Sequence, residues 1–182
     1  MRIIAGQWRG RPIIAPKGEA TRPTADRMRE ALFSMLASRL GSFEDLAVAD
    51  LFAGSGALGL EALSRGAASC VFVEQDRPAV DALKANIAKL GAGLKVGADV
   101  RAQSVLALPP ATKPYDLILM DPPYGTGAGA VALDKLGRLG WADESTWISI
   151  ETAKNETVEV DGFAADVERV HGKGKITLLR RI

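Results

Sequence analysis

The sequence predicts an α/β fold: a mostly parallel sheet ending in an antiparallel hairpin, preceded by a small N-terminal hairpin and helix. Three observations predict it. From residue 46 onward, short apolar runs of strand length alternate with segments of helical period. A glycine loop, Gly54-Ser55-Gly56-Ala57-Leu58-Gly59, lies where the first of those runs gives way to a helix. Acidic residues, Asp50, Glu74 and Asp121, fall at the carboxyl ends of three runs, which is where ligands bind in such sheets.

Taken in order, Arg2–Ala5 and Arg11–Ala15 read as strands turning at Gly6-Gln7-Trp8-Arg9-Gly10. Residues 17–23 form a loop, and a helix starts near Thr24, an N-cap after Pro23. Its apolar stripe is Met28, Ala31, Leu32, Met35, Leu36 and Leu40, with Arg22, Arg27 and Arg29 off the stripe or before the helix. Leu46–Phe52 is a strand, Ser55–Arg65 a helix, Cys70–Val73 a strand and Pro78–Leu90 a helix. A short strand lies within Leu94–Ser104. Asp116–Met120 is a strand, Val131–Leu139 a helix and Trp147–Ile150 a strand. Residues 166–181 form two strands turning at His171-Gly172-Lys173-Gly174.

The 182 residues are 47% apolar, enough to bury an ordinary core. No stretch is long and apolar enough to span a membrane, and Met1–Gly6 lacks the apolar run of a signal peptide, so a cytoplasmic protein is expected. The single cysteine, Cys70, excludes an internal disulfide and reads as a core thiol. With one histidine beside it, no His/Cys zinc site can be built, and no metal is expected. Nothing demands an oligomer, and a monomer is expected. Charge is segregated: residues 1–40 hold eight Arg/Lys against three Asp/Glu, 41–168 hold ten against nineteen, and 169–182 hold five against none. An acidic body with basic ends suggests a polyanion held by those ends. The competing reading is ordinary solvated faces.

Asp121-Pro122-Pro123-Tyr124 follows the apolar run Leu117–Met120. Two prolines remove two backbone donors and leave an acceptor-rich lining. An exocyclic amine offers two N–H donors and a poorly available lone pair, so Asp121 and the Pro122 carbonyl suit it, and the Tyr124 ring suits stacking on its base. That is a site for methyl transfer to an amine. The plain alternative is a Pro-Pro turn closing a strand. Asp121, Pro122, Pro123 and Tyr124 are the candidate catalytic residues.

The glycine loop also satisfies the dinucleotide pattern Gly54-x-Gly56-x-x-Gly59, with Glu74 at a ribose-binding distance. A nicotinamide- or flavin-dependent oxidoreductase is therefore one reading, and a ligand-free strand–helix turn another. Asp50, read as standing in the first turn, repels a diphosphate but suits the ammonium and sulfonium of S-adenosylmethionine. Asp-Pro-Pro-Tyr has no role in a dehydrogenase. The candidate cofactor-binding residues are Asp50, Phe52, Ala53, Gly54, Ser55, Gly56 and Glu74, with Asp121 where donor and acceptor meet. For the adenine end two placements compete: Asp99 after Leu94–Val96, or Gln103 and Ser104 after Val100–Ala102. Gln103, whose amide oxygen can accept from the adenine amine, is favoured.

With these motifs the chain resembles the RsmD family of bacterial small-subunit ribosomal RNA guanine-N2 methyltransferases. The likeness covers nearly the whole length. It includes Arg2–Arg11, the Arg22-Pro23-Thr24-x-Asp26-Arg27-x-Arg29-Glu30-x-Leu32-Phe33 segment, Asp50–Gly66 and Asp121–Tyr124, and is weakest over residues 92–104. The resemblance implies a class I, Rossmann-like, seven-stranded S-adenosylmethionine-dependent fold. Within it, residues 1–23 would form an RNA-contacting extension and 24–182 the catalytic domain. It implies methylation of the 2-amino group of one guanine in 16S ribosomal RNA, in the small subunit or its assembly intermediate.

Such a guanine must leave its stack to reach the methyl donor. Arg9, Arg11, Arg22, Arg27 and Arg29 are the candidate phosphate contacts, positioning RNA without reading sequence. Trp8 either stacks on an unpaired base or anchors the hairpin. Lys173 and Lys175 either extend the basic surface or are simply solvated, and His171 has no assigned role. The remaining rivals are an amino-methyltransferase of DNA adenine or protein glutamine, and a non-catalytic RNA-binding assembly factor.

Overall fold

The computed structural model describes residues 1–15, 23–91 and 97–182. After an irregular N-terminal segment come α1 (Pro23–Leu40), β1 (Ala47–Leu51), α2 (Ala57–Ser64), β2 (Ser69–Val73), α3 (Arg77–Leu90) and β3 (Gly97–Arg101). A short 3₁₀ turn (Val105–Ala107) leads to β4 (Leu117–Met120), α4 (Ala128–Arg138), β5 (Trp147–Ala153), β6 (Phe163–His171) and β7 (Gly174–Arg181). Seven strands form one sheet in the order β3-β2-β1-β4-β5-β7-β6. The first five are parallel, and β7 runs antiparallel between β5 and β6. The chain order reverses at β1, so the β1 and β4 ends flank the crevice in which such sheets bind ligands.

Strand pleat sorts side chains to two faces. Val48, Leu117 and Leu119 join Leu32, Phe33 and Leu36 of α1, Leu60 and Leu63 of α2 and Leu83 of α3 in one cluster. Ala49, Leu51, Ile118 and Met120 join Ala132, Leu133 and Leu136 of α4 with Trp141 in the other. All four residues of β4 are at most 1% exposed, because helices cover both faces of a parallel sheet. That is why β4 reads as a continuous apolar run.

Several boundaries move. Helix α1 begins at Pro23, one residue before the expected start. Helix α2 begins at Ala57 rather than Ser55, because Gly56 holds the left-handed N-cap position (φ 86°) and the preceding loop remains outside the helix. Helix α3 takes in Arg77, with the Asp76 carboxylate accepting from the Ala79 amide. Helix α4 begins three residues before the expected Val131, and β5 runs on to Ala153. Between the two placements for the third strand, β3 occupies Gly97–Arg101; residues 92–96 lie outside the described residues.

The N-terminal hairpin forms in shortened form. Two full strands do not develop: the two arms meet at one antiparallel bridge, Arg2 to Pro12, with the Ile13 amide donating to the Met1 carbonyl and the Gly10 amide to the Ile3 carbonyl, each at 2.8 Å. The Ile3 amide donates to the Arg11 carbonyl (3.0 Å), but those of Ile4 and Ala5 donate to the two oxygens of Glu61 on α2 (2.9 and 3.0 Å). The Ala5 amide, next after Ile3 on the ladder side, is spent on the carboxylate, so the segment docks on α2 instead of extending.

Candidate active site

One cavity of about 1220 Å³ opens at the carboxyl ends of β1, β2, β4 and β5 and is lined by both sequence motifs. At its cofactor end, β1 delivers Asp50 and then the loop Phe52–Gly56. Asp50 lies within the strand rather than in the turn that follows, and is 1% exposed. Its Oδ2 accepts from the Gly59 amide at 2.9 Å, and its Oδ1 has no hydrogen-bond partner among the described residues. Burial, opposed by the Gly59 hydrogen bond and reinforced by the Glu74 charge, pushes the Asp50 carboxyl up to about 8. A cation brought to that oxygen would reverse the shift.

Glu74 follows β2 and is held at both oxygens: Oε1 accepts from the Gly54 amide and Oε2 from the Asp76 amide, each at 2.8 Å. A carboxylate fixed in this way keeps spare lone pairs for a diol without having to be ordered by it. Phe52 holds the left-handed region (φ 59°), a strain of about 1–3 kcal/mol for a bulky residue. Gly59 serves packing: a Cβ there would come within 2.4 Å of the Phe72 ring and 2.7 Å of the Cys70 sulfur. Gln103 and Ser104 leave the end of β3 and line the cavity. Asp99 instead sits inside β3, paired with Arg101 at 3.2 Å and off the cavity wall.

At the other end, β4 presents Asp121-Pro122-Pro123-Tyr124. The Asp121 amide reaches the Leu51 carbonyl at 3.5 Å, so this segment starts directly beside the glycine loop. Pro122 is buried, while Asp121, Pro123 and Tyr124 are exposed. Thr126 donates its hydroxyl to the Pro123 carbonyl (2.9 Å) and accepts from the Ala128 amide (3.2 Å). Glu156 accepts from the Gly125 amide at 2.7 Å and from the Ala153 amide at 3.0 Å, which ties the loop to the end of β5. Those two amides hold its carboxyl below the usual range. The Tyr124 hydroxyl donates to Glu151 Oε2 at 3.0 Å. Partial burial of its hydroxyl end, although the ring is exposed, and the neighbouring Glu151 charge raise that phenol well above its ordinary value, so it remains a donor.

The cavity also takes in residues with no sequence motif: Ala25 and Met28 of α1, Ser149 and Glu151 of β5, and His171 and Lys173 of the last turn. Only the register between β4, β5 and β7 brings the last four there.

The basic residues separate. Arg9 and Arg27 are exposed. The Arg11 guanidinium donates to the Lys89 carbonyl at 2.6 Å. Arg22 lies outside the described residues. Arg29 and Trp8 are corrections. Arg29 is 4% exposed, donates to the Arg2 carbonyl, and lies 3.3 Å from Asp26 and 3.6 Å from Glu61. Burial pulls its guanidinium below its ordinary value, while the Glu61 and Asp26 charges oppose that. It is an internal tie on the cavity wall, not an exposed side chain on the outer surface. Trp8 is 8% exposed in the core beside Ile3 and Ile13, so it anchors the segment instead of stacking on a base. A residue three positions from an acid and facing a buried Glu61 looks in sequence like any surface arginine.

None of the described helices is long and apolar enough to cross a membrane. The chain matches the family described as conserved hypothetical protein 95 over residues 1–180. It is 41% identical over 152 residues to ribosomal RNA small subunit methyltransferase D of Escherichia coli K12, covering 84% of this chain and 74% of that protein. With the protein of the same name in Haemophilus influenzae it shares 35% identity over 158 residues, 86% of this chain and 80% of that one. The solved structure of Escherichia coli yhhF superposes with a TM-score of 0.86 at 37% identity, covering 100% of this chain and 97% of that one. The chain belongs to this family, the RsmD family, and is a methyltransferase with the class I, Rossmann-like fold.

Proposed function

We propose that this chain methylates the 2-amino group of a guanine in 16S ribosomal RNA, within the small subunit or its assembly intermediate, using S-adenosylmethionine. The observation that carries the reading is the single cavity on which the glycine loop and Asp121–Tyr124 meet at neighbouring strand ends. The names of the relatives in Escherichia coli and Haemophilus influenzae support ribosomal RNA of the small subunit as substrate. The enzyme would meet that substrate in the cytoplasm, as a monomer.

The residues present fit the cofactor. The orphaned buried Asp50 Oδ1 suits its ammonium, and Glu74 suits the two ribose hydroxyls. Phe52, Ala53, Gly54, Ser55 and Gly56 form the loop against which it would lie. Gln103 donates its amide nitrogen to the Ala107 carbonyl at 3.5 Å, which keeps its oxygen as an acceptor for the adenine amine, with Ser104 beside it. S-adenosylmethionine supplies an electrophilic methyl on a sulfonium when bound. Asp121 and the Pro122 carbonyl accept the two hydrogens of the guanine amine and turn its lone pair toward that methyl. Tyr124 stacks on the extruded base, with Pro123 fixing the turn. Asp121 stabilises the positive charge that develops as the N–C bond forms, and the proton then leaves to water. Positioning and fixed dipoles supply the acceleration, so no strong base is needed. Arg9, Arg27 and Arg22 contact phosphate, with Arg11 holding its own segment in place.

The reading is tested by separating binding from turnover. Asp121→Ala should still bind S-adenosylhomocysteine and lose at least about a thousandfold in methyl transfer to small subunits. Glu74→Ala should weaken that affinity at least about tenfold. Transfer by Asp121→Ala at the wild-type rate would sink the assignment.

A further inference from the structure

We infer that Glu151 selects guanine over adenine by accepting the ring N1–H of the extruded base next to the amine held by Asp121. The inference rests on the proposed guanine chemistry and adds a specificity-determining residue to it. The register is the first support. Strands β4 and β5 are parallel with Met120 opposite Ile150, so the next residues on each stand side by side: Asp121 just past the end of β4 and Glu151 still within β5, paired to Ile176 of β7. Neighbouring strands are about 4.8 Å apart. Both residues line the same cavity.

The second support is the tie to Tyr124. The phenol donates to Glu151 Oε2 at 3.0 Å, which fixes the carboxylate at the edge of the ring on which the base would stack. A carboxylate offers roughly four acceptor sites, so one phenol leaves capacity for a further donor. The third support is chemical. Guanine presents N1–H and the 2-amino group as adjacent donors on one edge, matched by acceptors on adjacent strands. Adenine presents a bare lone pair at N1. An ionised carboxylate attracts the first and repels the second, a penalty that a hydrogen-bonding site turns into strong rejection.

The competing role is purely positional, with Glu151 doing no more than holding Tyr124. The test uses small subunits reconstituted with 16S RNA that carries either guanine or 2-aminopurine at the methylated position, mapped first with the wild-type enzyme. 2-Aminopurine keeps the 2-amino group but has a lone pair at N1. For wild type, kcat/KM for guanine should exceed that for 2-aminopurine at least about a hundredfold. Glu151→Gln, whose amide can donate to a lone pair, should narrow that ratio at least about tenfold while binding S-adenosylhomocysteine as wild type does. Glu151→Ala should narrow it as well. Tyr124→Phe, which removes only the hydroxyl and keeps the ring, should lower both rates and leave the ratio within about threefold. A wild-type ratio in Glu151→Gln, or a Tyr124→Phe ratio that collapses as far as that of Glu151→Ala, overturns the inference. Failure of the wild-type enzyme to form N2-methylguanosine at all would instead overturn the guanine reading, and the inference with it.

Discussion

Asp50 shows how one buried atom sets a pH dependence. Its carboxyl is raised from 3.8 to about 8, first by burial. Between those values the folded, unliganded protein holds a proton that the unfolded chain has released. Stability must therefore fall as pH rises from about 4 to about 8, by at most about 1.4 kcal/mol per pH unit. Denaturant titration at pH 5 and pH 8 should show the loss, and Asp50→Asn should flatten it. A steeper loss in Asp50→Asn than in wild type would contradict the assignment. Asp50 and Glu74 were legible in the sequence because an acid at a strand end is a local pattern. The strand Leu46–Phe52 already contained Asp50, in conflict with its reading as a turn residue, and the structure places it inside β1. The positive φ of Phe52 was not legible.

Elements carry the next level. Helix α2 starts at the cofactor loop, packs through Gly59 onto Phe72 and Cys70, and offers Glu61 to the N-terminal segment. Gly59→Ala would push a methyl into that contact and should cost about 1–3 kcal/mol in chemical denaturation. Glu61 is fully buried and takes Arg65 at 2.9 Å as well as Arg29 at 3.6 Å. Glu61→Gln leaves Arg65 without its counter-charge and Arg29 with Asp26 alone, and should cost about 3–5 kcal/mol, with faster amide exchange at Ile4 and Ala5. Exchange unchanged at those two amides would show that Glu61 does not hold the segment. The alternation of strands and helices was readable from period alone, and β4 from its apolar run. The N-terminal hairpin is shorter than Arg2–Ala5 composition predicts, because the Ala5 amide is claimed by a glutamate some 56 residues away. The same ion pair explains why Arg29 passed for a surface arginine.

At the scale of the whole molecule, the sheet order brings the two motifs, separated by more than sixty residues in sequence, onto one cavity, and adds Glu151, His171 and Lys173 to its wall. The exposed Arg9 and Arg27 remain as candidate phosphate contacts. Arg27→Ala should weaken small-subunit binding and reduce its salt dependence by about one counterion, with affinity for S-adenosylhomocysteine unchanged. Arg29→Ala should lower stability instead, since it leaves the buried Glu61 with one cation fewer. The most direct test of the account is the identity of the product. Small subunits from cells lacking the homologous enzyme would be incubated with labelled S-adenosylmethionine and wild-type or Asp121→Ala protein, then digested to nucleosides. Label is expected in N2-methylguanosine from wild type and none from Asp121→Ala. Label in a methylated adenosine, or in protein, would contradict it.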